Sequence, residues 1–329
     1  MKISNTLNEL YEAKTIVITG GSGYIGSALI NKLQKYNCKI IRTSRSSLEP
    51  LKGVEDWVLN LEQYESWDNL VASADIIFHL SGNTSVAFAE ENIYESLLSN
   101  LLPIINLSSA SKKLKLSPRV VYASTATVYG ITDNFPVDES QKTNPLTIYD
   151  LHKLYAEQEL IMASNSMINP VILRLANVYG PSSNECQASD RGILNKITKM
   201  RLEGKNIQIY GDGNNLRDYV YIDDVVNAFL HVGVMKYDNF FDRRSIIFNI
   251  ASGTGTAVKE AFRMVSNEVA KNTGILGNIE NIAWPKGINV IEKRNFIASI
   301  ASIKSLTEWR PSVSLEEGIR LLVNYYSKE

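Results

Sequence analysis

The chain has 329 residues, with 34 Lys and Arg against 35 Asp and Glu, a formal charge of −1, and 44% hydrophobic and 21% charged residues. That length suits one large domain or two unequal ones, and the balanced charge offers no basic surface for nucleic acid or an anionic membrane. No apolar run reaches the ~18 residues a bilayer requires, and the polar start MKISNTLNELYEAK lacks the apolar core of a secretory signal, so a cytoplasmic protein is expected.

The first half alternates β-branched runs with helix-length segments. Strands are predicted at 15–19 (TIVIT), 39–43, 56–59, 75–80 (DIIFHL), 119–124 (RVVYAS) and 171–175 (VILRL), and helices at 24–36, 64–73, 93–115 and 149–164. Near-continuous apolar strands separated by helices indicate a parallel sheet covered on both faces. Right-handed crossovers then favour an α/β fold with a Rossmann-type, doubly wound sheet. After Gly180-Pro181 the pattern changes to a polar loop at 182–191, a helix at 192–203, a strand at 207–210, a helix at 223–235 and a surface loop at 236–245. Short strands and two or three helices complete the chain. The division expected is a nucleotide-binding domain at 1–181 and a smaller C-terminal substrate lobe at 182–329. Their boundary is soft, with some chain returning to the sheet. Cys38 and Cys186 belong to no CxxC or Cys/His cluster and fit reduced thiols. His79, His152 and His231 have no metal-ligand spacing, so no metal is expected.

In TIVITGGSGYIGSAL a strand runs into Gly20, Gly23 and Gly26, and a helix opens behind them. The first glycine permits a tight turn, the second lets backbone approach a pyrophosphate, and the third lets helix and sheet pack closely. The helix N-terminal amides then face phosphate. In such a unit the ribose-reading residue ends the second strand, about 20 residues on, and is acidic for NAD. Here IIRTSRSS places Ser44 there between Arg42 and Arg45, with no carboxylate from 40 to 47. Guanidinium forks and hydroxyls suit a 2′-phosphate, so NADP(H) is the preferred cofactor. NAD with solvated arginines is the alternative.

Tyr149 and Lys153 form a YxxxK pair, one helical turn apart on one face. A free phenol has a pKa of about 10. A nearby ammonium stabilises the phenolate and makes the tyrosine a usable acid or base. Upstream, RVVYASTATVYG ends a strand in Ser124 and Thr125, where a hydroxyl would sit beside the tyrosine.

These motifs together resemble the extended branch of the short-chain dehydrogenase/reductases, which modifies nucleotide sugars. TGGSGYIG is similar to its phosphate loop, HLSGNTS (79–85) to the end of its fourth strand, STATVYG (124–130) to its SS-x-x-VYG segment, and RLANVYGP (174–181) to its RxxNVYGP strand end. YGDGNNLRDYVYIDDV (210–225) and EWRPSVSLEEGI (308–319) resemble its C-terminal signatures. The resemblance makes Tyr149 the acid/base, Lys153 its partner, Thr125 the catalytic hydroxyl and Ser124 a possible helper. It implies cofactor contacts from Gly20, Gly23, Tyr24, Ile25, Gly26, Arg42, Ser44 and Arg45. It adds Asn60, in place of an aspartate at the adenine, with Leu61, Leu80, Ser81, Gly82, Asn100, Tyr149 and Lys153. Substrate contacts are implied for Thr84, Ser85, Thr125 and Asn177, with Arg217 and Arg294 on a diphosphate.

Ala126 and Thr127 stand where 4,6-dehydratases carry an Asp-Glu pair, which excludes that reaction. Hydride transfer at C4 of a nucleotide-activated sugar remains. The arginine-rich strand end favours an NADPH-linked reductase of a nucleotide 4-keto-6-deoxyhexose, with an NAD-dependent 4-epimerase of UDP-hexose type as the alternative. A silent NADP-sensing or RNA-binding relative fits poorly with Thr125, Tyr149 and Lys153 all present and with the near-neutral charge. The family commonly forms homodimers, for which 93–115 and 149–164 are the candidate helices.

Overall fold

A computed structural model describes residues 2–164, 168–183, 186–187, 192–236 and 247–328, with side chains from Leu7 onward. Most of the loop expected at 236–245 lies outside them. The chain opens with α1 (Lys2–Tyr11), β1 (Thr15–Thr19), α2 (Tyr24–Leu33), β2 (Lys39–Ser44), β3 (Val54–Val58), α3 (Ser66–Ser73) and β4 (Ile76–His79). There follow α4 (Val86–Glu91), α5 (Ile93–Asn100), α6 (Leu102–Leu114), β5 (Arg119–Thr125), α7 (Ile148–Ala163), β6 (Asn169–Leu175) and β7 (Asn177–Tyr179). The second half contributes α8 (Ile193–Leu202), β8 (Ile207–Tyr210), β9 (Leu216–Tyr221), α9 (Ile222–Gly233), β10 (Ile247–Ile250) and β11 (Gly255–Ala257). It ends with α10 (Val258–Thr273), β12 (Ile279–Ile282), α11 (Ala301–Leu306) and α12 (Leu315–Tyr326).

Seven parallel strands form the central sheet in the order β10-β6-β5-β4-β1-β2-β3. This is the doubly wound Rossmann-type α/β arrangement. Along β1, Ile16 and Ile18 face one core with Tyr11, Leu29 and Phe229, while Val17 faces the other with Trp67, Leu107 and Leu160. Burial on both faces is why the strands read as unbroken apolar runs.

Two local features depart from the expected elements. The polar N-terminal stretch is the amphipathic helix α1, whose Leu7 and Tyr11 enter the first core. The long helix expected at 93–115 breaks at Leu101, because Pro103 in the first turn of α6 has no amide to continue α5. Helix α9 and strand β10 come from beyond residue 181. Yet α9 packs into the first core and β10 extends the central sheet by pairing with β6. The remaining C-terminal elements form a three-stranded sheet (β11-β9-β7), a β12-β8 pair and the helices α8, α10 and α12 around a third core.

Helix α7 is pinned to the sheet by a buried ionic cluster. Glu157, fully buried, takes bonds from Arg174 Nε (3.1 Å) and Nη2 (2.6 Å) on β6, and from the Ser124 hydroxyl on β5. The Arg174 guanidinium also lies 4.7 Å over the Tyr129 ring. Removing one partner from such a group strands the other charge in low dielectric. Glu157→Ala is therefore expected to lower the unfolding free energy by ~3–5 kcal/mol, read by chemical denaturation. A loss below ~1 kcal/mol would show that α7 is held by packing alone.

Candidate active site

The cleft lies at the C-terminal ends of the parallel strands, where an open α/β sheet binds its ligands. One compartment of about 540 Å³ is lined by Gly20, Gly23, Ser44, Arg45, Asn60, Leu61, Leu80, Ser81 and Gly82. Thr43, Glu62, Phe88 and Glu95, which the sequence does not single out, also belong to its wall. A second compartment of about 360 Å³ shares Gly20, Gly23, Leu80, Ser81 and Gly82 and adds Tyr24, Ile25, Gly26, Thr84, Asn100, Ser124, Thr125, Tyr149, Lys153 and Asn177.

The glycine loop is shaped as a phosphate cradle. Gly20 has φ +70°, and a Cβ there would lie 2.8 Å from the Ser81 amide nitrogen. A Cβ on Gly26 would strike the Gly20 carbonyl oxygen, so α2 can lie this close to β1 only with glycine there. Helix α2 starts at Gly23 with no side-chain cap, which leaves its first amides for a ligand. Tyr24 turns its hydroxyl away, to the Gly180 carbonyl at 2.7 Å, and ties the loop to the second half of the chain. At the far wall Asn100 donates to the Asn83 and Ser96 carbonyls, while its buried Oδ1 has no bond among the described residues. These features fit a dinucleotide.

Arg42 does not face this cleft, contrary to the sequence expectation. It is 2% exposed, and its Nε and Nη2 take both oxygens of Asp56 at 2.5 and 2.9 Å, with a further bond to the Glu49 carbonyl. Arg42 and Asp56 are direct neighbours across the β2–β3 pair. The Arg42 stem passes Gly21, where a Cβ would sit 2.5 Å from Arg42 Cγ. Arg45 remains at the cleft wall, and the Ser44 hydroxyl donates to the Ser46 carbonyl at 2.6 Å. Asn60 uses its Oδ1 locally on the Glu62 amide, at 3.1 Å.

Thr125, Tyr149 and Lys153 come together in the second compartment. Thr147 caps α7 through the Asp150 amide at 3.1 Å, which fixes where the helix starts and so where Tyr149 lies. Lys153 is buried one turn on, its ammonium 4.1 Å above the Tyr122 ring. Burial pulls its pKa down to about 7 against the opposing charge of Glu157. Beneath it His79 is held neutral, its pKa pushed down to about 3 by burial and by Lys153, and it bonds Thr19 at 3.0 Å. His152 bonds Ser96 at 2.9 Å and links α7 to α5.

Ser124 is not available as a catalytic helper, because its proton is given to Glu157. A chain the sequence does not flag takes its place. Thr125 Oγ1 lies 2.8 Å from Thr127 Oγ1, and Thr127 in turn donates to Asp150 Oδ1. Asp150 is visible beside the tyrosine in TIYDLHK, but nothing in its spacing marks it. Ser85 sits outside both compartments and caps α4, accepting from the Phe88 amide at 3.2 Å.

Arg217 and Arg294 also lie outside the two compartments, but they lie together. Arg217 Nη1 donates to the Arg294 carbonyl and Nη2 to the Glu292 carbonyl at 2.6 Å, while Arg294 Nη1 reaches the Ile291 carbonyl at 2.9 Å. Burial lowers both pKa values, that of Arg294 to about 10, with Arg217 as the next cause. Neither has a carboxylate bonded to it among the described residues, and Asp150 and Glu292 act on Arg294 only through their charge.

The described residues contain no helix long and apolar enough to cross a membrane, and no His/Cys/Asp/Glu group placed to hold a metal. The model of the NAD dependent epimerase/dehydratase family matches residues 16–251. The chain is similar to a putative UDP-glucose 4-epimerase of Methanocaldococcus jannaschii, 28% identical over 94% of this chain and 97% of the relative. It is also similar to the UDP-glucose 4-epimerase of Mycoplasma genitalium, 28% identical over 95% of this chain and 97% of the relative. Among solved structures, the UDP-glucose 4-epimerase of Thermotoga maritima with UDP-glucose superposes with a TM-score of 0.83 and 28% identity, covering 95% of this chain and 99% of that one.

Two outcomes test the geometry. Arg42→Ala should lower the unfolding free energy by about 3 kcal/mol and leave the ratio of NAD to NADP affinity unchanged. A shifted ratio in titrations would return Arg42 to the cleft. Lys153→Met should lose activity and gain stability. A buried lysine with a lowered pKa binds fewer protons folded than unfolded, so its destabilising effect is largest below pH 7 and fades toward the unfolded value. The melting-temperature gain of Lys153→Met should accordingly be largest below pH 7 and shrink as pH rises toward 10. A gain that grows with pH would contradict the lowered pKa.

Proposed function

Because the chain belongs to the NAD dependent epimerase/dehydratase family, we propose that it is a nucleotide-sugar 4-epimerase, inverting C4 of a UDP-hexose with NAD held in the cleft. The observation that carries this reading is the meeting of Thr125, Tyr149 and Lys153 on one wall of the compartment behind the glycine cradle. The similarity at 28% identity to proteins called UDP-glucose 4-epimerases supports it. This replaces the reductase as the main reading, since the Arg42–Asp56 pair removes one of the two arginines on which NADPH preference rested.

When bound, the nicotinamide supplies hydride chemistry at C4. Tyr149 takes the O4 proton as the alcohol is oxidised and returns it after the sugar has turned over. The Lys153 ammonium stabilises the phenolate form of Tyr149. The pair of Arg217, buried, and Arg294, half-buried, is the natural receptor for the substrate diphosphate, which would relieve their mutual repulsion. The anchored diphosphate leaves the hexose free to present either face. Thr127, where a dehydratase carries a carboxylate, gives no group to drive loss of water.

Arg45 at the cleft wall, with no carboxylate at the end of β2, favours a second reading, the NADPH-linked reduction of a 4-keto sugar. Exposed Ile93, Tyr94, Ile105, Tyr155 and Met162 on α5, α6 and α7 support a homodimer through those helices.

One set of measurements separates the readings. Denatured protein should release NAD, and native protein, running as a dimer in sedimentation, should interconvert UDP-glucose and UDP-galactose with no added cofactor. Tyr149→Phe should lose turnover by ~100-fold or more and still hold dinucleotide. Protein that purifies empty, works only with added NADPH on a 4-keto sugar and loses that preference in Arg45→Ala would be the reductase.

A further inference from the structure

Asp150 is fully buried at the start of α7, next to Tyr149 in sequence, and the chemistry above leaves it unused. Its backbone amide belongs to the Thr147 cap, but its carboxylate reaches away from the helix to Thr127. Thr127 lies on the 3-10 turn Ala126–Tyr129, and its hydroxyl touches that of Thr125 at the end of β5. Three side chains thus run in single file from a buried acid to the wall of the sugar compartment. Burial pushes the Asp150 carboxyl up from its ordinary value, against the bonds from Thr127 and Thr147 and the charge of Arg294. Arg294 is the charged group brought against it from the C-terminal segment, with Arg217 and Glu292 acting on Arg294 in turn. On its own helix Lys153 lies one turn along.

Counting protons along this file gives it a direction. An ionised carboxylate only accepts. The Thr127 proton is therefore spent on Asp150, and the Thr127 oxygen must accept from Thr125. Thr125 also accepts from the Thr127 amide at 3.2 Å. Its own proton is then turned away from the compartment, and only a lone pair faces a sugar oxygen. A protonated Asp150 can donate instead, which reverses both bonds and frees the Thr125 proton for the cleft. An alcohol can use a lone pair, but a ketone oxygen needs a donor.

We propose that Asp150 is a positioning residue which, through Thr127, sets whether Thr125 offers a lone pair or a proton to the reacting oxygen of the sugar. The inference rests on the reading of the compartment as the site of C4 oxidation and reduction. It needs no other group, since protonation of Asp150 from solvent and rotation of two hydroxyls account for every proton.

The pH profile of kcat tests it. Wild type and Thr127→Ser, which keep the file, should share an acid-side inflection. Thr127→Val and Asp150→Asn should both shift it by the same amount, leaving only what Lys153 contributes, since Thr125 is then uncoupled from Asp150. An acid-side inflection that is the same in wild type and Thr127→Val, or that shifts in Thr127→Ser, would overturn the proposal. A second measurement needs no turnover. The Asp150 carboxyl, followed by 13C NMR and assigned by its absence in Asp150→Asn, should titrate at higher pH in Thr125→Val, because Thr127 loses the donor that polarises its hydroxyl. An unmoved midpoint would overturn the relay. Wild-type protein that turns over no nucleotide sugar would end the functional reading, and the NMR titration alone would then decide the relay.

Discussion

The catalytic wall depends on the buried cluster of Glu157, Arg174 and Ser124 that ties α7 to β5 and β6. Tyr149, Asp150 and Lys153 all stand on that one helix, and Thr125 ends the strand to which it is tied. A helix packed only by apolar contacts can slide by fractions of an ångström at little cost. A bidentate pair in low dielectric cannot, because each lost bond exposes an uncompensated charge to a dry interior. Misplacement by about 1 Å can cost a factor of 100 in rate, so the charge pair serves geometry more than net stability. Ser124 belongs to this support, and its neighbour Thr125 is the hydroxyl left at the second compartment.

A similar division of labour operates at the opposite end of the cleft. Arg42 and Asp56 cancel one another across adjacent strands, and the guanidinium stem fills the space that Gly21 leaves empty. A charge that looks from its position like a ligand contact is thus spent on joining an edge strand to the sheet. Arg217 and Arg294 are the reverse case. They lie close together, Arg217 buried and Arg294 half-buried, bonded to carbonyls, with no carboxylate bonded to either among the described residues. That arrangement is costly unless an anion joins it. Lys153 carries a cost of the same kind, since its burial opposes the charge that a phenolate partner needs. On the proposed reading these costly charges lie where a nucleotide sugar and its cofactor would use them, an exchange of stability for function.

Much of this was legible in the amino-acid sequence. Apolar runs separated by helical segments predicted a parallel sheet covered on both faces, and the glycine spacing located the cradle. The joint order of glycine loop, strand-end hydroxyls and YxxxK located Thr125, Tyr149 and Lys153, which the cleft brings together. Those signals are local, carried by residue type and spacing within one or two elements. What could not be read are the pairings between elements distant along the chain. The strands containing Arg42 and Asp56 were both foreseen, but their register, and so their salt bridge, is set only when β3 docks. The resemblance left Ser124 a possible helper beside Thr125, and only Glu157, 33 residues on, takes its proton away from the site. The bonding of Arg217 to the Arg294 carbonyl has the same origin. The sequence by itself determined the fold class, the cradle and the tyrosine–lysine pair, because backbone conformation and helical periodicity are local properties. Tertiary structure decided which charged and hydroxyl groups are spent on one another and which remain for a ligand, because that depends on distance in space.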